Sequence, residues 1–322
     1  MAWLPDREVY GPERPQARDI DPLNRVFAES FTDRYRRDGM TGVRVPHLNP
    51  VIWRYALEDA GDGAMIWRDG DGELCAFNMV HLSGREGWMG PLAVRPDQQG
   101  AGLGKVMLKA GIAWLKERGA RTIGLETMPR TVENIGFYSR LGFVPGPLTV
   151  SLVRDLARRP VLQPEFLAAL GNQRQERLRA CAALTDRLLP GADYTRELLT
   201  TAELRIGDTL VVRDPDGDLA GFALFHTAPL AAGRPQDELR ILKLVARDLD
   251  AFERLIAAAE AAALALDIRR VTVRAETAFP AAYLRLIQLG FRAHWTDLRM
   301  TLSGYEDPAP RGGAVVWSNW EI

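Results

Sequence analysis

Between Pro22 and Arg37 the apolar side chains fall at Leu23, Val26, Phe27, Phe31 and Tyr35, a spacing that predicts a helix with one buried face. The pattern then changes. Ala64–Trp67 and Glu73–His81 are strand-like runs joined by Arg68-Asp69-Gly70-Asp71-Gly72, an Asp/Gly turn of the kind that closes a hairpin. Trp88–Val94 reads as a third strand. A glycine-rich loop follows it, and then a helix running to Arg118, with Val106, Met107, Ala110, Trp114 and Leu115 on or near one face. Arg121–Glu126 reads as a strand, Val132–Arg140 as a short helix, and Phe143–Val153 as a closing pair of strands. Strand, helix and strand from Trp88 to Glu126 make a right-handed parallel crossover. With hairpins around it, the expected fold class is α/β (α+β), a mixed and largely antiparallel sheet flanked by helices.

The same pattern recurs. Ile66-Trp67-Arg68-Asp69-Gly70-Asp71-Gly72-Glu73-Leu74 lines up with Val211-Val212-Arg213-Asp214-Pro215-Asp216-Gly217-Asp218-Leu219, and the alignment carries His81 onto His226. Further on, Leu125-Glu126-Thr127 matches Ala275-Glu276-Thr277, and Leu141-Gly142-Phe143 matches Leu289-Gly290-Phe291. Matched segments in one order argue for duplication of a whole domain. Pro160 and Pro164 mark a linker between Asp155 and Pro164. The expected domains are 1–157 and 158–322, the second opening on a helix from Phe166 to Leu189.

Composition narrows the function classes. The 322 residues suit about two domains. Lys and Arg number 41 against 42 Asp and Glu, a net charge of -1, so the excess positive charge of a general nucleic-acid binder is missing. Cys75 and Cys181 cannot build a disulfide framework or a zinc ribbon. The start, Met1-Ala2-Trp3-Leu4-Pro5-Asp6-Arg7, lacks the apolar core of a signal peptide, and no run is long enough to span a membrane. The expectation is a cytoplasmic, soluble protein, monomer or homodimer, with neither nucleic acid nor membrane as partner.

The richest chemical signal is Leu92-Ala93-Val94-Arg95-Pro96-Asp97-Gln98-Gln99-Gly100-Ala101-Gly102-Leu103-Gly104-Lys105. Three glycines between a strand and a helix start let backbone N–H groups converge on one point, where the helix dipole adds positive charge. That is an anion site suited to a pyrophosphate. The spacing is neither that of a Walker loop nor that of a dinucleotide fingerprint. It resembles the Gln/Arg-x-x-Gly-x-Gly/Ala signature of the GNAT acyltransferases, read on Gln99, Gly102 and Gly104. Phe137-Tyr138-Ser139-Arg140-Leu141-Gly142-Phe143 resembles the same family's Tyr-x-x-Leu-Gly-Phe motif. With the duplication, the layout is similar to tandem-GNAT proteins such as mycothiol synthase, with no substrate implied, since the motif here sits in the N-terminal half.

The resemblance implies a splayed parallel strand pair that holds acetyl-CoA as acyl donor. Leu92, Ala93 and Val94 would offer backbone groups to its pantetheine arm, and Gln99, Gly100, Ala101, Gly102, Leu103, Gly104 and Lys105 would cradle its pyrophosphate. Tyr138 matches the tyrosine that protonates the leaving thiolate. Glu126 resembles the base of the subgroup that acetylates protein N-termini, with His81 and Glu86 as alternatives. Where the family often has an asparagine there is Thr131, and Asn134 is the nearby substitute. The implied reaction is transfer of an acetyl group to a primary amine of a small molecule or peptide. A non-catalytic acyl-CoA sensor or interaction protein is the alternative. In the second half Leu242–Phe252 has no glycine and carries Asp248 and Asp250, and Leu286 stands at the tyrosine's place, so that half reads as a degenerate scaffold. The tail Trp317-Ser318-Asn319-Trp320 is a candidate cover for a pocket or oligomer contact, with ordinary packing as the simpler reading.

Overall fold

A computed structural model describes residues 8–157, 163–167 and 174–320. The opening residues 1–7 and residues 158–162 of the expected linker lie outside the described residues. The first half runs β1 (Val9–Glu13), α1 (Ile20–Arg37), α2 (Pro50–Ala60), β2 (Ala64–Asp69), β3 (Leu74–Ser83), β4 (Glu86–Val94), α3 (Leu103–Glu117), β5 (Thr122–Thr127), α4 (Val132–Ser139) and β6 (Phe143–Asp155). The second repeats that order: β7 (Glu165–Phe166), α5 (Arg174–Leu188), α6 (Thr195–Leu204), β8 (Gly207–Arg213), β9 (Leu219–His226), β10 (Glu238–Ala246), α7 (Leu249–Ala265), β11 (Arg270–Glu276), α8 (Pro280–Gln288) and β12 (Arg292–Leu302). One further strand, β13 (Val315–Ser318), follows.

Local chemistry explains the matched hairpins. The Asp69 amide bonds Glu73 O at 2.9 Å and the Asp214 amide bonds Asp218 O at 2.9 Å, so both copies close through the same aspartate-led turn. Helix α1 buries Leu23, Val26 and Phe27, the stripe that its spacing anticipates. Helix α2 is not anticipated by the sequence reading. Asn49 caps it, accepting from the Val51 amide at 3.2 Å, Pro50 opens it, and it buries Ile52, Trp53, Tyr55 and Ala56.

Two expectations are corrected. Of the helix expected from Phe166, residues 168–173 lie outside the described residues and Arg174–Leu188 is helical, whereas Glu165–Phe166 forms the short edge strand β7 on β8. Phe143–Val153 is not a pair of strands. Pro145 and Pro147 suggest a turn, but the chain runs on as one strand with a register shift at that point, and its partners come from the other half.

That exchange organises the molecule. Among the described residues the sheet runs β1-β2-β3-β4-β5-β12-β6-β11-β10-β9-β8-β7, with β13 added on β10. Strand β12 of the second half lies between β5 and β6, and β6 of the first half lies between β12 and β11. The cores follow the strands. Met300 and Leu302 of β12 pack with Met107, Leu125, Tyr138 and Phe143 of the first half, while Val150 and Leu152 of β6 pack with Val273, Phe252 and Leu286 of the second. Each half therefore completes its neighbour's hydrophobic layer.

Candidate active site

Strands β4 and β5 pair in parallel only from Glu86–Met89 against Thr122–Leu125. At Gly90–Pro91 the register of β4 on β3 shifts, since Met89 faces Val80 and Leu92 faces Asn78. A bulge of this kind bends a strand. Beyond it β4 stays on β3 but has left β5, so Leu92, Ala93 and Val94 present one backbone edge to an open cleft. An edge of that kind accepts an extended ligand as an added strand.

The glycine loop stands at the mouth of this cleft. Gly100 and Gly102 have φ of +86° and +85°, a region that L side chains rarely adopt, and open space surrounds both. Gln99 folds back, its Nε2 donating to Val94 O at 2.9 Å, and Ser30 of α1 donates to the same carbonyl at 3.1 Å. Gln99 thus braces the loop on its own strand. Leu103 is buried and anchors α3, whereas Ala101 and Lys105 are exposed. The Lys105 and Val106 amides are the first to reach a helical acceptor, both at Gly102 O, so the amides of Gly102, Leu103 and Gly104 precede the first helical bond. A side chain at Gly104 would meet only Phe137, at 3.5 Å, so the space above it is free of protein.

Helix α4 borders the loop through that Phe137. Asn134 is half-buried on its first turn. Thr131, just ahead, is committed elsewhere, its hydroxyl donating to Asp38 at 2.6 Å. Tyr138 is buried against Phe137 and Phe143, and burial raises its phenol to about 12. Among the described residues its hydroxyl has no hydrogen-bond partner. A protonated, unengaged phenol is what a general acid to a thiolate requires.

The three carboxylate and imidazole candidates are all engaged. Glu126 accepts from Thr149 at 2.6 Å and from Arg299 at 3.1 Å, and pairs closely with Arg274. Burial would raise its pKa, but Arg274 and Arg299 outweigh burial and hold it below the ordinary value. His81 is engaged at both ring nitrogens, Nδ1 with Asp59 at 2.6 Å and Nε2 with Gly90 O at 3.0 Å. Asp59 itself is fully buried. Burial would raise it, yet His81, Arg196 and Lys243 hold it down to about 2. Glu86 accepts from Trp88 Nε1 and the Tyr194 hydroxyl, both at 2.9 Å. The geometry gives these side chains bracing contacts and does not favour the base role expected for Glu126.

The second half has the same strand pair in a different state. β10 and β11 pair from Glu238–Ile241 against Arg270–Val273 and then part, but β13 enters the gap and pairs with β10 from Lys243–Ser318 to Ala246–Val315. Asn319 closes the seam, its amide bonding Leu242 O at 2.9 Å and its Nδ2 donating to Arg274 O at 3.0 Å. The tail is therefore a strand that fills the gap, with Trp317 buried against Phe252 and Phe279. Asp248 caps α7 and accepts from Ala251, occupying a donor that a phosphate would need. Leu286 is buried in the second core.

Residues 25–143 match the Acetyltransferase (GNAT) family. The mycothiol acetyltransferase of Actinosynnema mirum is 30% identical over 155 residues, 44% of this chain and 50% of that one. Residues 25–143 form a GNAT acetyltransferase domain. The chain spans about half the length of that curated relative. Two solved structures extend the likeness in fold over nearly all of it. A tandem GNAT protein from the clavulanic acid biosynthesis pathway superposes with a TM-score of 0.54 at 15% identity, covering 95% of this chain and 99% of that one. Saccharomyces cerevisiae N-myristoyltransferase with bound myristoyl-CoA superposes at 0.62 and 13% identity, covering 96% of this chain and 85% of that one. Beside the GNAT domain, among the described residues, no helix is long and apolar enough to cross a membrane.

The sequence reading of that domain missed Arg274 and Arg299, which come from the second half. No local spacing announces them, because strand exchange alone brings them to Glu126. A periodicity argument could have placed Glu126, Arg274 and Arg299 on strands, but not on neighbouring ones.

Proposed function

We propose that the chain transfers an acetyl group from acetyl-CoA to a primary amine, with the donor held by the first half alone. The observation that carries this reading is the contrast between two otherwise matching clefts. The β4–β5 cleft is open and glycine-lined, whereas β13 fills the β10–β11 cleft. Leu92 to Val94 would take the pantetheine as a strand, and the amides of residues 102–104 the pyrophosphate.

The chemistry needs little else from the protein. The amine lone pair attacks the thioester carbonyl, the C–S bond breaks, and the thiolate takes the Tyr138 proton, which water restores. The ammonium loses its proton to water, because Glu126, His81 and Glu86 are all engaged. Glu126 serves instead as a brace joining β5 to β11 and β12.

Calorimetric titration should saturate at one acetyl-CoA per chain, and Gly104→Val should abolish that binding with the circular dichroism spectrum unchanged. Two bound molecules, or unaltered affinity in the variant, would reject the donor site. Tyr138→Phe should lower kcat by about 10²-fold or less and leave donor affinity alone. Unaltered turnover would make Tyr138 a packing residue. In Glu126→Gln the acidic limb of the kcat/KM profile should persist, and its disappearance would restore Glu126 as base. Donor binding without turnover of any amine would favour a sensor of acyl-CoA.

A further inference from the structure

A cavity of about 280 Å³ lies beyond the carboxyl end of β5. Three segments wall it. Met128, Pro129 and Arg130 continue directly from β5, Met40 follows α1, and Ala293 to Thr296 belong to β12. Because β12 is antiparallel to β5 with Leu298 opposite Thr127, its residues before 298 overhang the end of β5. The cavity therefore lies past the stretch of β5 that pairs with β4 and β12. Its volume is near the lower end of the ~300–1,000 Å³ typical of small-molecule pockets.

The lining is apolar on one side and cationic at the rim. Met40, Met128 and Trp295 supply the apolar wall, and Tyr35 supports it from behind, its ring 6.0 Å from that of Trp295. The nearby carboxylates are already committed. Asp38 pairs with Arg34 at 2.7 Å, Glu133 pairs with Arg34 at 2.8 Å, and Asp297 pairs with Arg274 at 3.2 Å. Arg130 and His294 have no ion pair or side-chain hydrogen bond among the described residues, and both are exposed. The Arg130 guanidinium lies over Gly39, beside Met40, where an added Cβ would come within 3.6 Å of it. An unpaired guanidinium at the rim of an aromatic and methionine-lined cavity is a site for a carboxylate attached to an apolar body.

We infer that this cavity holds the acceptor, and that the acceptor is a small amine with an apolar or aromatic body and a carboxylate that binds Arg130. The inference rests on the acetyl-transfer reading above only for the identity of the reacting group. His294 lines the same cavity, and Trp295 packs against the body. A polycation such as spermidine would meet Arg130 with like charge and leave the apolar wall unmatched.

Two measurements on the full chain test it. The probe 3-phenylpropionate has the body and the carboxylate but no amine to react, so calorimetry reads the site without catalysis. It should bind saturably and about tenfold or more weakly in Arg130→Ala, while phenethylamine binding is the same in both proteins. Arg130 is exposed, and an unchanged melting temperature will show that the variant folds. Absence of binding, or equal binding by both proteins, overturns the inference. In turnover, phenylalanine and methionine should exceed phenethylamine and spermidine in kcat/KM, and Arg130→Ala should remove that preference. A wild-type preference for phenethylamine or spermidine overturns it as well. Should acetyl-CoA bind and no amine react, the acetyl-transfer reading fails, and the calorimetric arm still decides whether the carboxylate site exists.

Discussion

A chain ending at residue 157 is expected to give no stably folded, acetyl-CoA-binding domain. The sequence alone suggests a milder outcome, since residues 1–157 hold the whole motif set and the repeat invites a cut at the linker. The sheet argues otherwise. Removing the second half removes β12 from between β5 and β6, so both strands lose their ladder on that side. Met300 and Leu302 leave the first core, each such side chain contributing about 1.5–3 kcal/mol when buried. Glu126 loses both arginines while its β5 neighbours stay buried, and breaking a buried pair costs about 3–5 kcal/mol. Set against a total stability of about 5–15 kcal/mol, the combined loss is decisive. Expression of 1–157 alone should therefore yield aggregate or an unfolded spectrum, and co-expression with 158–322 should rescue soluble protein. A soluble, monomeric 1–157 that binds acetyl-CoA as the full chain does would show that β6 can swing over to replace β12.

What the sequence made legible follows from the range of each signal. The turn at Asp69, the glycines at 100 and 102 and the stripe of α1 are local, and the structure has them where short-range chemistry puts them. The duplication was also legible, because each copy keeps its own turn and its own Leu-Gly-Phe. The pairing of copies was not. Whether β6 folds back on β5 or crosses to β11 depends on contacts between residues more than 100 positions apart, and both choices bury the same alternating side chains. The same limit hid the acceptor cavity. Arg130, Met40 and Trp295 share no motif, and only the overhang of β12 past Thr127 gathers them. The closure of the second cleft was half legible. The aspartates at 248 and 250 argued against a phosphate, but nothing local told that Val315–Ser318 would complete the sheet there.

Arg299→Met should destabilise the protein more at pH 8 than at pH 5. Arg299 is fully buried, with its guanidinium 3.8 Å above the Trp88 ring, and it pairs with Glu126 at 3.1 Å, Glu276 at 3.2 Å and Asp307 at 3.0 Å. Burial would lower its own pKa, but the three carboxylates outweigh that and keep it charged. Burial raises Glu276 from its ordinary 4.5 to about 8 even with Arg299 beside it, and it raises Asp307 too. A group raised in the folded state gives stability that is complete below its unfolded pKa and is lost as pH climbs through the folded one. In the wild type this loss is limited by the pull of Arg299 on all three acids, and Glu126, held low, contributes in the opposite sense above its ordinary pKa. Methionine keeps much of the apolar stem but removes the cation. Folded-state pKa values of Glu126, Glu276 and Asp307 then rise together, and the unfolded chain releases their protons more readily at every pH above about 4. At pH 5 Glu276 is protonated and Glu126 keeps Arg274, so the loss is mostly that of the contact with Trp88. By pH 8 the native state must either hold several protons against solvent or bury unpaired charge, and the loss should approach or exceed the ~3–5 kcal/mol of a broken buried pair. Urea unfolding of both proteins at the two pH values measures the difference. An equal loss at pH 5 and pH 8 would show that the three carboxylates do not depend on Arg299 for their charge.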